Sequence, residues 1–307
     1  MKVFRGYGIY LFSLSLFWAF WLQLTAEPKV QPGESKETPW FLSEESSYPF
    51  TEFTVLDTRS SLQRWKNKVP GSKVITWEEL ARTDFPHKGE LLELKLVRKK
   101  INDLGIKLND SILVLGDGAS GWGEEGRIVW SLREAGFTQV YWLDGGYETY
   151  EKEIRKKTNL KSENNINPTP KPSKPNSNLS YTIQKEELVK GLSSKAYQLL
   201  DTREPREFSG ATPYGESRGG HIPGAKSVFY QELFDAKGQI KSKAEVELYL
   251  KRLGIQKEKP VVAYCTGGVR SAFVVGILRT YGYNAYNYAG SMWEWSHDPN
   301  LPLETGN

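Results

Sequence analysis

The sequence predicts an α/β fold in which two similar units each form a mainly parallel sheet with helices on both faces. Short motifs recur at a spacing of about 145 residues, which indicates a duplicated domain. Within the second unit, short apolar segments alternate with segments of helical periodicity, a pattern typical of parallel sheets covered by helices. The chain has 307 residues, which is enough for two ordinary domains.

The two units carry matching segments in the same order. The matched pairs are VLDTR (55–59) with LLDTR (199–203), LREAGF (132–137) with LRTYGY (278–283), and residues 141–146 with residues 286–291. In the second unit the pattern predicts strands over 197–202, 260–264 and 284–288, and helices over 243–253 and 271–281. Ligands of such folds bind at the carboxyl ends of the strands, so we expect the functional residues there.

Composition divides the chain into five segments. We predict a signal peptide or N-terminal anchor over 1–26, a polar tether over 27–47, a first domain over 48–156, a linker over 157–180 and a second domain over 181–307. The linker is assigned from its density of Pro, Asn, Lys and Ser, which is typical of semi-extended connections between domains.

The N-terminal segment has the layout of an export signal. Lys2 and Arg5 precede an apolar run over residues 8–24, and Ala26 offers a cleavage point. Leu24 is larger than the small residue usual at its position, and the run is close to the bilayer-spanning length of about 17–20 residues. A cleaved signal and a retained membrane anchor therefore both stay open. In either case we expect an exported protein, periplasmic or anchored to the membrane and facing the periplasm.

Composition and cysteine usage exclude several classes of protein. Hydrophobic residues make up 38% and charged residues 25% of the chain, which is typical of a globular protein. The formal net charge is +4 and the sequence has no dense Lys/Arg tract, so we expect no nucleic-acid partner. The single cysteine cannot form an internal disulfide or a CxxC dithiol pair. With one Cys and three His, we also expect no zinc site.

The segment that carries most chemical information is VVAYCTGGVRS, residues 261–271. It places Cys265 after an apolar strand and before a helix, and Gly267 and Gly268 let successive backbone N–H groups turn inward as an anion nest. The helix dipole and the charge of Arg270 add positive potential. Because each of these effects lowers the pKa of a thiol, we predict an activated Cys265 in an anion-binding loop.

The second unit resembles a catalytic rhodanese domain. LLDTREPREF, GHIPGA (220–225), YCTGGVRS and YAGSMWEW (288–295) occur in that family's order and spacing. The first unit resembles the inactive partner domain of tandem-domain sulfurtransferases, through VLDTR, GWGEEGRIVW (121–130) and LDGG (143–146). Outside the linker, which is long for the family, the resemblance covers residues 48–305.

The resemblance implies a thiosulfate sulfurtransferase that works by double displacement. Cys265 would take the outer sulfur of thiosulfate as a persulfide and pass it to cyanide or a thiol. The anionic sulfur would be stabilised by the backbone N–H groups of five loop residues, Thr266, Gly267, Gly268, Val269 and Arg270. The partners expected are therefore a small-molecule sulfur donor and a thiophilic acceptor, and no metal or organic cofactor is implied. Arg206 and Arg218 are candidates for holding the sulfonate or carboxylate of the donor.

The first unit lacks a nucleophile. At the strand end that matches Cys265 it has LVLGDGASGWG, with Gly116 or Asp117 at the position of the cysteine. A carboxylate at that place would repel an anionic substrate. We therefore expect this unit either to cover the active domain and shape its cleft or to be a structural spacer.

Three alternative functions stay open. A 3-mercaptopyruvate sulfurtransferase shares the fold and the cysteine, and the loop here is mixed, neutral at Thr266 and Gly267 but charged at Arg270. A non-enzymatic persulfide carrier would use the same loop to receive sulfur from a protein. A phosphatase is disfavoured, because those loops place five residues between Cys and Arg, whereas Cys265 and Arg270 are separated by four.

Overall fold

Two parallel β-sheets organise the chain. The computed structural model describes residues 38–43, 52–159 and 180–306. The first sheet has the strand order β1 (Phe41–Leu42), β5 (Val140–Leu143), β4 (Ile112–Leu115), β2 (Thr54–Asp57), β3 (Lys73–Val74). The second sheet has the order β7 (Lys226–Ser227), β6 (Gln198–Asp201), β8 (Val261–Tyr264), β9 (Ala285–Asn287). Neighbouring strands pair in parallel throughout both sheets. We call residues 38–159 the N-terminal repeat and residues 180–306 the C-terminal repeat.

Helices connect the strands of each repeat. In the N-terminal repeat they are α1 (Ser61–Lys66), α2 (Leu94–Asp103), α3 (Glu124–Glu134) and α4 (Gly146–Asn159). In the C-terminal repeat they are α5 (Lys185–Ser193), α6 (Pro205–Phe208), α7 (Lys243–Arg252), α8 (Val269–Thr280) and α9 (Ser291–Trp295). Each element predicted for the second unit is present, with ends within about two residues of those predicted. Helix α8 begins at Val269, two residues before its predicted start, so Val269 and Arg270 lie in its first turn.

Each sheet buries both of its faces, because successive side chains of a strand point to opposite sides. In β8, Val261 and Ala263 join the largest core, whereas Val262 and Tyr264 join a separate core on the other face. Strand β4 divides its side chains between the largest core and a third core in the same way. Helices therefore cover both faces, and the predicted fold class is confirmed.

The two repeats pack against each other through helices α3 and α8, which cross in the largest core. Gly126 of α3 lies so close to Phe273 of α8 that an added Cβ would stand 2.5 Å from the Phe273 Cα. Gly276 of α8 lies against the rings of Trp142 and Trp40 of the N-terminal repeat. Glycine at these two contacts lets α8 approach α3 and the tryptophans of the N-terminal repeat closely. This packing brings the N-terminal repeat to the Cys265 loop.

Two predicted boundaries need correction. The tether over 27–47 was wrong for the apolar residues Trp40, Phe41 and Leu42, which are buried and include strand β1. Phe41 pairs with Trp142 in the first sheet, so burial of these side chains attaches the segment to the fold. The linker predicted from residue 157 also begins later, because helix α4 continues to Asn159.

The export signal or anchor predicted over residues 1–26, including the apolar run at 8–24, lies outside the described residues. Within the part of the chain that the structure describes, no helix combines the length and the apolar character needed to cross a bilayer.

Candidate active site

Cys265 lies directly after β8, at the carboxyl end of an inner strand of the second sheet. The chain then turns through Thr266 and Gly267 to Gly268, which caps helix α8 in the left-handed conformation with φ 78°. A Cβ at Gly268 would also stand only 2.5 Å from Nη1 of Arg127. Backbone conformation and close packing therefore both require glycine at this position.

Donor groups surround the buried Cys265 sulfur. The residue is only 1% exposed. The backbone N–H of Gly268 donates to Sγ at 3.1 Å, and the Ser271 hydroxyl lies 3.6 Å from Sγ. The same hydroxyl lies 2.7 Å from Oδ1 of Asn287, which fixes its position in the first turn of α8. The sulfur thus faces hydrogen-bond donors supplied by a helix N-terminus.

The electrostatic environment of Cys265 favours its thiolate form. Burial by itself raises the pKa of the thiol, because it removes the charged form from water. The positive charge of Arg270 and hydrogen bonds from Ser271 and Gly267 act in the opposite direction, and the net result is a lowered pKa. Since the thiolate is the reactive form of cysteine, this loop favours the nucleophilic state of Cys265.

Arg270 is held rigidly inside the site. Its Nη1 and Nη2 atoms donate to the two carboxylate oxygens of Glu207 at 2.6 and 2.8 Å. Nη2 also donates to Oγ1 of Thr266 at 2.8 Å, and the Thr266 hydroxyl lies 2.9 Å from Glu207. Because this bidentate pair occupies both terminal nitrogens, Arg270 acts on Cys265 through charge and through the order it imposes on the loop.

Aromatic side chains and the N-terminal repeat cover the loop. The Trp293 indole packs on Gly267, where an added Cβ would overlap the ring. Lys88 of the N-terminal repeat places Nζ 4.1 Å from the centre of the Trp293 ring. Beside the loop is a cavity of about 260 Å³ whose wall includes Arg270 and, from the N-terminal repeat, Trp122. Cys265 is not part of that wall.

The N-terminal repeat has a different structure at the matching position. Gly116 directly follows β4 as Cys265 directly follows β8, so it is Gly116 and not Asp117 that stands in place of the cysteine. The carboxylate of Glu125 occupies the space that a Cβ on Gly116 would need. Burial raises the pKa of Glu125 to about 8, and its Oε2 has no hydrogen-bond partner in the part of the chain that the structure describes. A buried carboxyl group thus replaces both the thiol and its donors.

The two arginines predicted to hold a donor have other contacts. Arg218 donates to backbone carbonyls of Trp295, Ser296, Asp298 and Leu301. The guanidinium of Arg218 therefore organises the chain after α9, and a role for Arg218 in donor binding stays a prediction. Arg206 is exposed and its Nε donates to Glu204 at 2.7 Å, beside the cavity wall that Glu204 contributes to. A role for Arg206 in donor binding stays a prediction.

Among the described residues, one group of side chains could hold a metal ion. The ligating atoms of His87, Glu90 and Glu294 lie within 4.8 Å of one another. These groups already have partners: Nδ1 of His87 lies 2.8 Å from Glu90, and Nζ of Lys185 lies 3.3 Å from Glu294. The contacts within this group are those of an ion-pair network.

Several side chains of the site are missing from the sequence prediction. Glu207, Ser271, Asn287 and Arg127 all contact the Cys265 loop or its immediate partners. Ser271 adjoins the CTGGVR motif and could have been named as a helix-capping donor. Glu207 and Arg127 are far away in sequence, and no local pattern points from either of them to the cysteine.

Comparison with known families agrees with this geometry. A model of the rhodanese-like domain matches residues 42–153 and 184–298. The chain belongs to the rhodanese family. It carries the rhodanese domain twice, which confirms the duplication and the family predicted from the sequence.

Relatives of this rhodanese include bacterial and plant proteins. The thiosulfate sulfurtransferase of Azotobacter vinelandii is 26% identical over 258 residues, which cover 82% of this chain and 91% of the relative. A sulfur carrier protein of Thermus thermophilus is 27% identical over 250 residues, covering 78% of this chain and 85% of the relative. Thiosulfate/3-mercaptopyruvate sulfurtransferase 2 of Arabidopsis thaliana is 25% identical, and the match covers 87% of this chain and 80% of the relative.

Solved structures show the same fold. The crystal structure of SseA from Escherichia coli, described as a 3-mercaptopyruvate sulfotransferase, superposes with a TM-score of 0.63 at 22% identity. That match covers 83% of this rhodanese and 99% of SseA. EanB, solved in complex with hercynine, superposes with a TM-score of 0.65 at 20% identity, and this chain spans 64% of its length. At these identities the likeness concerns the fold.

Proposed function

We propose that this rhodanese transfers the sulfane sulfur of thiosulfate to cyanide or a thiol through a persulfide on Cys265. The observation that carries the proposal is the donation of the Gly268 N–H to Sγ at 3.1 Å, in a loop that lowers the pKa of the thiol. The relatives named as thiosulfate sulfurtransferases support the choice of donor. The resemblance adds Thr266, Gly267, Val269 and Arg270 as the other members of the anion-binding loop.

In the first half of the reaction the Cys265 thiolate attacks the outer sulfur of thiosulfate. A bond forms between Sγ and that sulfur, the sulfur–sulfur bond of thiosulfate breaks, and its electron pair leaves with sulfite. The new terminal sulfur carries the negative charge, about 2 Å from Sγ. Inward-facing backbone N–H groups and the charge of Arg270 stabilise this anion as they stabilise the thiolate.

In the second half a thiophilic nucleophile attacks the terminal sulfur. With cyanide, a carbon–sulfur bond forms, the persulfide bond breaks, and its electron pair returns to Sγ as the thiolate. Thiocyanate leaves and the enzyme is regenerated without change in its redox state. A low thiol pKa assists this step as well, because the thiolate is then a better leaving group.

The deciding experiment is the intact mass of the purified chain before and after thiosulfate, followed by a cyanide chase. We expect a gain of one sulfur atom, about 32 Da, that cyanide removes and that Cys265→Ser does not acquire. Ser131→Ala, a change in a buried serine of the other repeat, is the matched control and should acquire the sulfur normally. An adduct that survives in Cys265→Ser would contradict the proposal.

Persulfide transfer from 3-mercaptopyruvate is the second candidate. It is favoured by the neutral residues Thr266 and Gly267 directly after Cys265. The same mass experiment separates the two donors, because an adduct with 3-mercaptopyruvate and none with thiosulfate would reverse the assignment. A persulfide that leaves only to a protein acceptor, and not to cyanide, would instead identify a sulfur carrier.

We also propose export of the protein, on the basis of the charged and apolar segments of residues 1–26. Expression of the full chain in a bacterial host, followed by cell fractionation and mass measurement, tests this. Mature protein that begins near residue 27 in the periplasm indicates cleavage, and full-length protein in the membrane fraction indicates an anchor. Full-length protein in the cytosol would contradict export.

A further inference from the structure

Arg127 is a buried cation of the N-terminal repeat that reaches the Cys265 loop. It lies in the first turns of α3 and is 0% exposed. Its Nη1 donates to the carbonyl of Gly268 at 3.0 Å and lies 3.5 Å from that of Gly267, while Nη2 donates to Gly89 at 2.5 Å. One guanidinium thus links two segments from different repeats.

One of these contacts, the 3.5 Å approach to the Gly267 carbonyl, lies at the opposite end of the peptide group whose N–H points at the sulfur, and the 3.0 Å bond holds the carbonyl of the next peptide. The peptide between Gly267 and Gly268 directs its N–H at Sγ, at 3.1 Å. Because a trans peptide points its N–H and C=O in opposite directions, the Gly267 carbonyl faces away from Sγ and towards Arg127. A cation near that carbonyl polarises the peptide and strengthens its N–H as a donor to an anionic sulfur.

Arg127 also lacks a carboxylate partner among the described residues. Buried arginines elsewhere in this chain, such as Arg203 and Arg270, form ion pairs at 2.6 Å. Burial lowers the pKa of Arg127 to about 10, and this is opposed by the negative charge of Cys265 and, to a smaller extent, by that of the exposed Glu78. An unpaired buried cation is costly, so the anionic sulfur is its natural counter-charge.

The two repeats differ at the helix position that Arg127 occupies. Helices α3 and α8 both begin after a left-handed glycine, Gly123 and Gly268, with φ of 80° and 78°. Counted from these glycines, Arg127 of α3 corresponds to Ala272 of α8. Only the repeat without a cysteine carries the arginine, and the crossing of α3 and α8 directs it into the other repeat's site.

We propose that Arg127 is a positioning residue that the cysteine-free repeat supplies to the site of the other repeat. Its guanidinium orients the Gly267–Gly268 peptide against Sγ and balances the charge of the thiolate and persulfide. The proposal rests on the function proposed for Cys265, and it gives the N-terminal repeat a part in the chemistry beyond covering the site. Removing the positive charge of Arg127 should therefore change the pKa of Cys265.

The test is the pH dependence of Cys265 alkylation by iodoacetamide, which does not depend on the identity of the sulfur donor. With one cysteine in the chain, the alkylation rate reports this thiol alone. We expect Arg127→Gln to raise the pH midpoint by about one unit, so that alkylation below the midpoint is about tenfold slower. Arg127→Lys has a smaller charged group that is more easily neutralised by burial, so its midpoint should lie between those of the parent protein and Arg127→Gln.

Arg133→Gln and Arg133→Lys are the matched controls, because Arg133 is a buried arginine of the same helix that donates to Pro39 and Val140. Both should leave the midpoint unchanged even where they lower stability. An unchanged midpoint in Arg127→Gln, or an equal shift in Arg133→Gln, would overturn the proposal. If Arg127→Gln does not fold, the two Lys variants decide in the same way. A shifted midpoint without a thiosulfate adduct would reject the donor while supporting the role of Arg127.

Discussion

The Glu207 carboxylate accepts hydrogen bonds from both terminal nitrogens of Arg270, at 2.6 and 2.8 Å, and both side chains are buried. Burial by itself raises the pKa of Glu207, but the hydrogen bonds and charge of Arg270 outweigh it and hold the pKa below its usual value. The pair joins α6 to the first turn of α8, next to the nucleophile. Both the stability of the site and its charge depend on it.

We predict that Glu207→Gln lowers the free energy of unfolding by about 3 kcal/mol, because it leaves the guanidinium of Arg270 buried without its counter-charge. Urea denaturation at neutral pH measures this. Glu247→Gln is the control, since Glu247 and Lys257 form a partly exposed pair that should contribute no more than about 1 kcal/mol. Equal losses in the two variants would show that the buried pair contributes no more to the free energy of unfolding than the partly exposed pair.

A pH effect on stability should originate in the N-terminal repeat. The folded protein raises the pKa of Glu125 to about 8 from an ordinary value of 4.5. Between these values the folded state binds more protons than the unfolded state. The contribution of protonated Glu125 to the free energy of unfolding is therefore fully present below about pH 4.5 and is lost as the pH rises towards 8. The expected slope is about 1.4 kcal/mol for each pH unit.

We therefore expect Glu125→Gln to be more stable relative to the parent protein at pH 7.5 than at pH 5.5, because the amide has no proton to lose. Urea denaturation at the two pH values measures the difference. The control Glu258→Gln changes an exposed glutamate and should follow the parent protein at both. A constant difference between Glu125→Gln and the parent protein would count against this account.

Ser271→Ala should raise the pKa of Cys265, because it removes a hydroxyl 3.6 Å from Sγ that favours the thiolate. A hydrogen bond worth about 0.7 kcal/mol corresponds to half a pH unit, so alkylation below the midpoint should slow about threefold. The pH profile of iodoacetamide alkylation measures it. Ser131→Ala, a buried serine of α3, should not move the profile. No shift in Ser271→Ala would mean that the backbone donors and the charge of Arg270 set the thiol pKa without help from this hydroxyl.

Arg218→Ala should act on stability. Its guanidinium donates to four backbone carbonyls between Trp295 and Leu301, and loss of these charged hydrogen bonds should cost about 3 kcal/mol. Thermal unfolding measures the loss. Arg206→Ala, which breaks an exposed pair with Glu204, should change stability by about 0.5 kcal/mol or less. If Arg218→Ala kept full stability and instead weakened saturation by thiosulfate, the result would contradict this structural role and favour donor binding by Arg218.

The candidate site divides into parts that the sequence could and could not predict. The Cys265 loop was predictable because its features are local: an apolar strand, two glycines and a helix start follow one another within VVAYCTGGVRS. The carbonyl partners of Arg218 were not predictable, because position in a motif does not say which carbonyls a long side chain will meet. The tether predicted over 27–47 is too long, because the apolar residues WFL at 40–42 are buried in the fold although their neighbours in sequence are polar.

By itself the sequence determined the duplicated α/β fold and the nucleophile at a strand end, since repeats, periodicity and turn residues are properties of neighbouring positions. Only the tertiary structure decided the partners of that nucleophile. Glu207 and Arg270 are 63 positions apart, and Arg127 is 141 positions from Gly268. The first pair forms when α6 packs beside the first turn of α8 within the C-terminal repeat. The second forms because α3 and α8 cross at Gly126, and this packing lets a repeat without a cysteine contribute charge to the site of the other.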